Sequence, residues 1–324
     1  MRRLLLTASA ATTMALALTG CGTTEAAPGS SDKSSGRITL TDATGAKVTL
    51  DGPAKKVVGT EWDVVEHLIS LGVEPAGVAD VKGYKTWNSA VPLKSTPEDI
   101  GTRGEPSMDT VASLEPDLIV ATTDLPTSAV KQLRKVAPVL AVRSADTSGQ
   151  IAQMNKNLDL IAEATGKKQR ADTVKKKFAA KIAAGRKALK DAGRDGTKIA
   201  FADGYVTANQ VSIRSYTSRS LIGAVNEELG LENAWKAKGD KKYGLATTDV
   251  EGLTGLGDVP FAHIAAEEDS SDPFGHELTK NATWKSLPFV KNDDVHRLPG
   301  GIWMFGGPGA MGAYADAIVD ALKK

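Results

Sequence analysis

The chain has 324 residues, 41% of them hydrophobic and 24% charged, with a single cysteine, and its formal net charge at pH 7 is +1. A length of this kind accommodates about two domains. The near balance of charge excludes the basic field that nucleic acid requires, and one cysteine excludes an internal disulfide.

The chain begins with Arg2-Arg3, runs through a mostly apolar or small stretch from Leu4 to Leu18, and reaches Leu18-Thr19-Gly20-Cys21. This apolar stretch is too short and too rich in Ala and Thr to span a bilayer, so residues 1–20 read as a cleaved export leader. Leu-Thr-Gly-Cys resembles a bacterial lipobox, in which the cysteine becomes the lipidated first residue; Cys21 is accordingly expected to hold the protein on the outer face of the cell membrane. Arg2-Arg3 leaves both the general and the twin-arginine export routes open. Removing the two leader arginines takes the formal charge to −1. Residues 21–37, rich in Gly, Ser, Thr and Ala without periodicity, read as a flexible tether.

Residues 38–166 predict an N-terminal α/β lobe. Ile38 to Leu50 alternates around Asp42-Ala43-Thr44-Gly45 and reads as a hairpin. Val57 to Thr60, Gly77 to Ala79, Leu118 to Ala121 and Val139 to Val142 read as short buried strands with helices between them, which implies a small, mainly parallel sheet. Residues 167–193 predict one long helix joining two lobes, since Val174, Phe178, Ile182 and Leu189 recur near the helical period. Its many lysines read as a solvated outer face. From 194 to 324 a second α/β lobe is expected, also on a small, mainly parallel sheet flanked by helices, with strands at Ile199 to Phe201, Val211 to Ile213, His263 to Ala265 and Val295 to Leu298, and helices at Ser218 to Leu229 and Ala310 to Leu322.

No catalytic constellation is legible. Gly307-Pro308-Gly309-Ala310-Met311-Gly312 satisfies G-x-G-x-x-G, but only 12 residues follow it, too few for a dinucleotide fold. The four histidines lack ligand spacing, so no metal site is predicted. An exported α/β enzyme is therefore the weaker alternative. Two features point instead to binding. The glycine-bounded loop Gly101-Thr102-Arg103-Gly104-Glu105-Pro106 sits at a strand end, where α/β proteins bind ligands, and it carries one arginine and one glutamate. Among only 16 aromatic residues, Tyr84, Trp87, Tyr243, Trp303 and Phe305 fall in stretches rich in Gly, Pro or Asn and read as loop residues, while Trp62 opens the first helix. Aromatic faces with a few arginines suit a bulky organic ligand bearing acceptor oxygens.

Several segments, in order, resemble the substrate-binding lipoproteins of iron–siderophore ABC importers, the binding-protein class with a single helical linker, and especially its hydroxamate-siderophore members. They include Glu61-Trp62 with Leu71-Gly72-Val73, Tyr84-Lys85-Thr86-Trp87, Asp99 to Pro106 with Leu114 to Ile119, Leu229 to Trp235, Trp284 to Val290 and Trp303 to Pro308. The resemblance implies a monomer that captures a preformed ferric hydroxamate complex, ferrioxamine-like, in the cleft between the lobes, without a cofactor and without ligating the iron itself. It implies that Arg103 hydrogen-bonds the iron-coordinating oxygens and that Trp87, Tyr243 and Trp303 line the cleft. Tyr84, Phe305 and Trp62 are grouped with them as candidates, and Arg214 and Tyr216 by position. Glu105 and Glu232 would dock on the permease. Thr122-Thr123-Asp124 departs from the family, which often places an aromatic there, so the exact siderophore stays open, as does a cobalamin or haem ligand.

Overall fold

The computed structural model describes residues 36–208, 210–266 and 272–323. The leader, Cys21 and nearly all of the tether lie outside them. The first elements are the antiparallel pair β1 (Ile38–Thr41) and β2 (Lys47–Leu50), turned at Asp42. The Asp42 carboxylate accepts from the backbone of Thr44 at 2.8 Å and Ala46 at 2.9 Å, and pairs with Arg134 at 3.0 Å. There follow β3 (Val57–Gly59), α1 (Trp62–Ser70), β4 (Gly77–Val78), α2 (Val81–Trp87), β5 (Glu98–Asp99), α3 (Met108–Ser113), β6 (Leu118–Thr122), α4 (Thr127–Val136) and β7 (Val139–Val142). Their strands form a five-stranded sheet in the order β5-β4-β3-β6-β7, every pair parallel. Leu-Ile-Val-Ala-Thr in β6 and Val-Leu-Ala-Val in β7 are buried at every position, because helices cover both faces of a parallel sheet.

The helices α5 (Gln150–Ala164) and α6 (Lys168–Asp191) connect this sheet to the second. The 24 residues of α6 bury Ala171, Phe178, Ile182 and Leu189. Ala171 packs into the core around β3, β6 and β7, whereas the other three pack into the core of the second sheet. One helix about 36 Å long thus holds two hydrophobic cores. Its lysines lie outside, as Lys175 does in pairing with Asp159 at 2.6 Å.

The remaining elements are β8 (Lys198–Thr207), β9 (Gln210–Tyr216), α7 (Leu221–Glu228), β10 (Glu232–Asn233), β11 (Leu245–Thr248), β12 (Phe261–Ile264), α8 (Ala282–Ser286), α9 (Pro288–Lys291), β13 (Val295–Leu298) and α10 (Pro308–Leu322). The second sheet runs β11-β9-β8-β12-β13, with β10 also on β8. It is mixed: β8, β10, β12 and β13 are parallel, while β9 and β11 run against their neighbours. Thr207 faces Gln210 across the tip of the β8–β9 ribbon, and a connection that short permits only antiparallel pairing. Two α/β lobes, each on its own sheet, is the architecture expected. Among the described residues, no helix is long and apolar enough to cross a membrane.

Candidate ligand cleft

Parallel strands carry their loops to one edge, and the N-terminal sheet places four such loops side by side. Glu61, Trp62 and Asp63 follow β3, Arg103 follows β5, Asp124 follows β6 and Ser144 follows β7. The facing lobe contributes Arg214 from β9, Tyr243 and Leu245 at the start of β11, and Trp303 and Phe305 from the segment between β13 and α10. Of these residues all but Trp62, which lies beneath Arg103, line a cleft of about 280 Å³. On the N-terminal lobe this is the C-terminal edge of the parallel strands, where open α/β sheets bind ligands.

Arg103 is held there by its loop. Gly101 has φ +94°, a conformation that favours glycine, and pairs with Pro106 to close the turn. The Arg103 guanidinium donates to Glu61 at 2.8 Å and lies over the Trp62 ring at 4.0 Å and the Trp303 ring at 5.2 Å. Trp62 is itself fixed, its indole N–H shared between the carbonyls of Ala79 at 3.1 Å and Asp80 at 3.2 Å. A Cβ on Gly83 would stand 2.4 Å from the Trp62 ring, so glycine at this point of α2 leaves room for the indole. Trp62 meets Trp303 edge-on at 4.7 Å, Trp303 meets Phe305 at 5.1 Å, and Phe305 meets Tyr243 at 5.4 Å. A continuous aromatic row therefore runs from one lobe to the other.

The charges fall into pairs. Besides Arg103 with Glu61, Arg214 grips Asp203 through two guanidinium nitrogens, Nε at 2.9 Å, and Tyr216 donates to the same carboxylate at 3.1 Å. Asp124 receives both Lys242 and the Tyr243 hydroxyl from across the cleft. Burial pushes the Tyr243 phenol up to about 12, so it stays protonated and donates. Asp63 has no ion-pair partner among the described residues. It is 6% exposed and accepts from Val64 N at 2.6 Å. Burial, and then the neighbouring Glu61, push its carboxyl well above the usual carboxylate range. Trp303 is 9% exposed, and its Nε1 has no hydrogen-bond partner among the described residues.

A second anion links the lobes behind the cleft. Glu66 on α1 is fully buried, and its carboxylate accepts from Gly309 N at 3.1 Å and Ala310 N at 2.9 Å at the start of α10, and from Asn88 Nδ2 at 3.1 Å. Burial raises its pKa, and these donors limit the rise. A Cβ on Gly306 would stand 2.4 Å from Glu66 Oε2, and one on Gly307 would stand 3.0 Å from Oε1. The glycine-rich motif rejected as a dinucleotide fingerprint thus cradles an anion after all, one supplied by the chain's own Glu66.

The candidates read from the sequence divide accordingly. Arg103, Arg214, Tyr243, Trp303 and Phe305 line the cleft, and Trp62 supports Arg103 beneath. Tyr84 does not reach it: rather than a loop residue, it lies on α2, fully buried, with its hydroxyl donated to Val91 O at 2.7 Å. Trp87 also lies on α2, not in a loop, and packs half-buried against the Trp62–Tyr84 cluster outside the cleft lining. Tyr216 is 1% exposed and acts from behind, on Asp203. Glu105 and Glu232 are exposed, Glu232 with Lys198 at 3.9 Å. Sequence reasoning missed Glu61, Asp63, Asp124, Ser144 and Leu245 as lining residues. The first four come just after parallel strands, and that position was the available signal; Leu245, at the start of β11, carries no such signal.

The chain matches the family model described as "Periplasmic binding protein" over residues 57–300. It is 27% identical to "Fe(3+)-citrate-binding protein YfmC" of Bacillus subtilis (strain 168), over 89% of this chain and 87% of that protein. It is 24% identical to "Iron(3+)-hydroxamate-binding protein FhuD" of Escherichia coli (strain K12), over 78% of this chain and 81% of that one. The fold matches the crystal structure of the Fe3+–Desferal-bound siderophore-binding protein FhuD from Vibrio cholerae. The TM-score there is 0.74 at 24% identity, covering 83% of this chain and 98% of the other. The match to the family model spans both sheets and the helix between them, and the chain belongs to the periplasmic binding protein family.

Proposed function

We propose that this protein captures a ferric siderophore of the hydroxamate class outside the cytoplasmic membrane and delivers it to an ABC import permease, held on the membrane through lipidated Cys21. It is a carrier and not an enzyme. Relatives named for both citrate and hydroxamate complexes leave the ligand class to be argued from the site. The observation that carries the choice is the balance of charge around the cleft, where Arg103 is paired with Glu61, Arg214 with Asp203 and Lys242 with Asp124, so that no cation is left in surplus. Ferric citrate and ferric catecholate complexes are anionic and call for a surplus of converging cations. A ferric trihydroxamate core is neutral, because three hydroxamate anions match Fe(III) and fill its six positions, so iron arrives as cargo with its own ligands.

The aromatic row supports this reading, since its faces cover the hydrocarbon that links the hydroxamates. Arg103 has donors left beyond the one given to Glu61, and these suit hydroxamate oxygens through charge-assisted hydrogen bonds. The cleft volume of about 280 Å³ lies just below the range of small-molecule sites, so binding calls for the lobes or their loops to part. The single linking helix would restrict that motion to a small hinge or twist. Trp62 and Trp303 make the test direct. Titrating tryptophan fluorescence with ferrioxamine, ferrichrome, ferric citrate, ferric enterobactin and haem should show saturable quenching by the hydroxamates at the lowest concentrations. Saturation by an anionic complex or haem, with none by either hydroxamate, refutes the proposal.

A further inference from the structure

We propose that Asp63 makes the cleft selective for the charge of its ligand, favouring a ferric trihydroxamate whose chain ends in an ammonium group over the same complex with that nitrogen acylated. This rests on the hydroxamate reading above. Each cation in and behind the cleft is matched to one carboxylate: Arg103 to Glu61, Arg214 to Asp203, and Lys242 to Asp124. Asp63 is the carboxyl left over among the described residues, in a wall of the cleft and almost wholly out of water. An unpaired buried carboxyl is costly to ionise, and a ligand cation brought beside it removes that cost. Its place in the first turn of α1 also favours its anionic form once a partner arrives.

Two further features show that this wall is built for a ligand bearing both charge and acceptors. The Trp62 and Trp303 faces already take one cation, Arg103, at 4.0 and 5.2 Å, so the aromatic surroundings tolerate positive charge. The indole N–H of Trp303 is a buried donor with no protein acceptor among the described residues, in the same wall. A buried donor of that kind calls for an acceptor from outside, and hydroxamate or amide oxygens of the same ligand supply one. Asp63 and Trp303 thus demand complementary groups, a cation and a carbonyl-type oxygen, which a linear trihydroxamate with a free amine carries together.

The experiment compares two probes, ferrioxamine B, which ends in an ammonium group, and its N-acetylated counterpart, on the wild-type protein and on Asp63→Asn. Affinities come from tryptophan fluorescence titration at pH 7.5. The wild-type protein should bind the ammonium form about fivefold or more tightly. Asp63→Asn should bring the two within about twofold, mainly by weakening the ammonium form. Equal affinities in the wild-type protein overturn the charge-selectivity proposal without any variant, and an unchanged preference in Asp63→Asn removes Asp63 from it. Failure of both probes to bind overturns the charge-selectivity proposal, and the functional reading itself falls only if ferrichrome also fails to bind, a separate outcome.

Discussion

Replacing Glu66 tests the way in which the two lobes are held in register. The fully buried carboxylate accepts from Asn88, Gly309 and Ala310 at 2.9–3.1 Å, and alanine leaves all three donors without it. A buried donor stripped of its acceptor costs about 1–3 kcal/mol, and donors sharing one acceptor are not additive, so Glu66→Ala should destabilise by about 3–6 kcal/mol. Glu66→Gln keeps the shape and one acceptor oxygen. Asn88 Oδ1, buried and unpartnered among the described residues, is available for the new amide after a flip, so this change should cost no more than about 1 kcal/mol. The two also differ in pH dependence. Burial raises the native pKa of Glu66, so the native state holds that proton more tightly than the unfolded chain. Stability contributed by the proton is full below the ordinary glutamate range and is lost as pH rises through it toward the native value. Glu66→Gln should abolish that component. Urea unfolding followed by tryptophan emission from pH 4 to 8 measures both effects. A loss below about 1 kcal/mol for Glu66→Ala would falsify the argument that this carboxylate pins α10 to α1.

Further outcomes follow from the same contacts. Gly306→Ala drives a methyl into the Glu66 carboxylate and should weaken ligand binding several-fold by displacing Trp303 and Phe305, measured by fluorescence titration; unchanged affinity would show that this wall repacks freely. Arg103→Ala removes the guanidinium from Trp62 and leaves Glu61 unpaired, and should raise Kd for a ferric trihydroxamate about tenfold or more; an unaltered Kd removes Arg103 from the site. Glu105→Ala combined with Glu232→Ala should leave ligand affinity intact and reduce uptake into cells, and normal uptake would exclude their docking role. His67, whose pKa burial lowers to about 4, is neutral in the native state. Its contribution to stability is full above its unfolded pKa of about 6.5 and is lost as pH falls toward 4, with a ceiling of about 3 kcal/mol. His67→Asn in the Glu66→Gln background, where the opposing carboxylate effect is gone, should flatten the acid slope, and a slope that persists there would assign it elsewhere.

The elements were legible because their signals are local. Val57 to Gly59, Leu118 to Thr122 and Val139 to Val142 are short apolar runs bounded by turn residues, and α6 repeats its apolar positions at the helical period. Arg103 was legible for the same reason, since its glycine-bounded loop announces a strand end. Tyr84 and Trp87 misled: Lys82-Gly83 looks like a breaker, yet Asp80 caps α2 with an acceptor for Gly83 N at 2.9 Å, and the packing of Trp62 makes that glycine necessary. The mixed second sheet was hidden because an alternating apolar pattern gives no strand direction, which the length of the β8–β9 turn decides.

The sequence by itself determined that two α/β lobes share one long helix, that the N-terminus reads as a lipidated export leader, and that Arg103, Tyr243, Trp303 and Phe305 are candidates for one site. Only the tertiary structure decided who faces whom. Glu61, Asp63 and Asp124 are ordinary surface residue types in the chain, 60 or so positions from one another at the extremes, until parallel strands carry them to one edge. The anion held by Gly306 to Ala310 comes from Glu66, more than 200 residues earlier. Hydrophobic periodicity is a property of neighbours along the chain, whereas the pairing of charges, and the carboxyl left unpaired, are properties of distance in space. Coulomb interactions and hydrogen bonds respond to that distance alone.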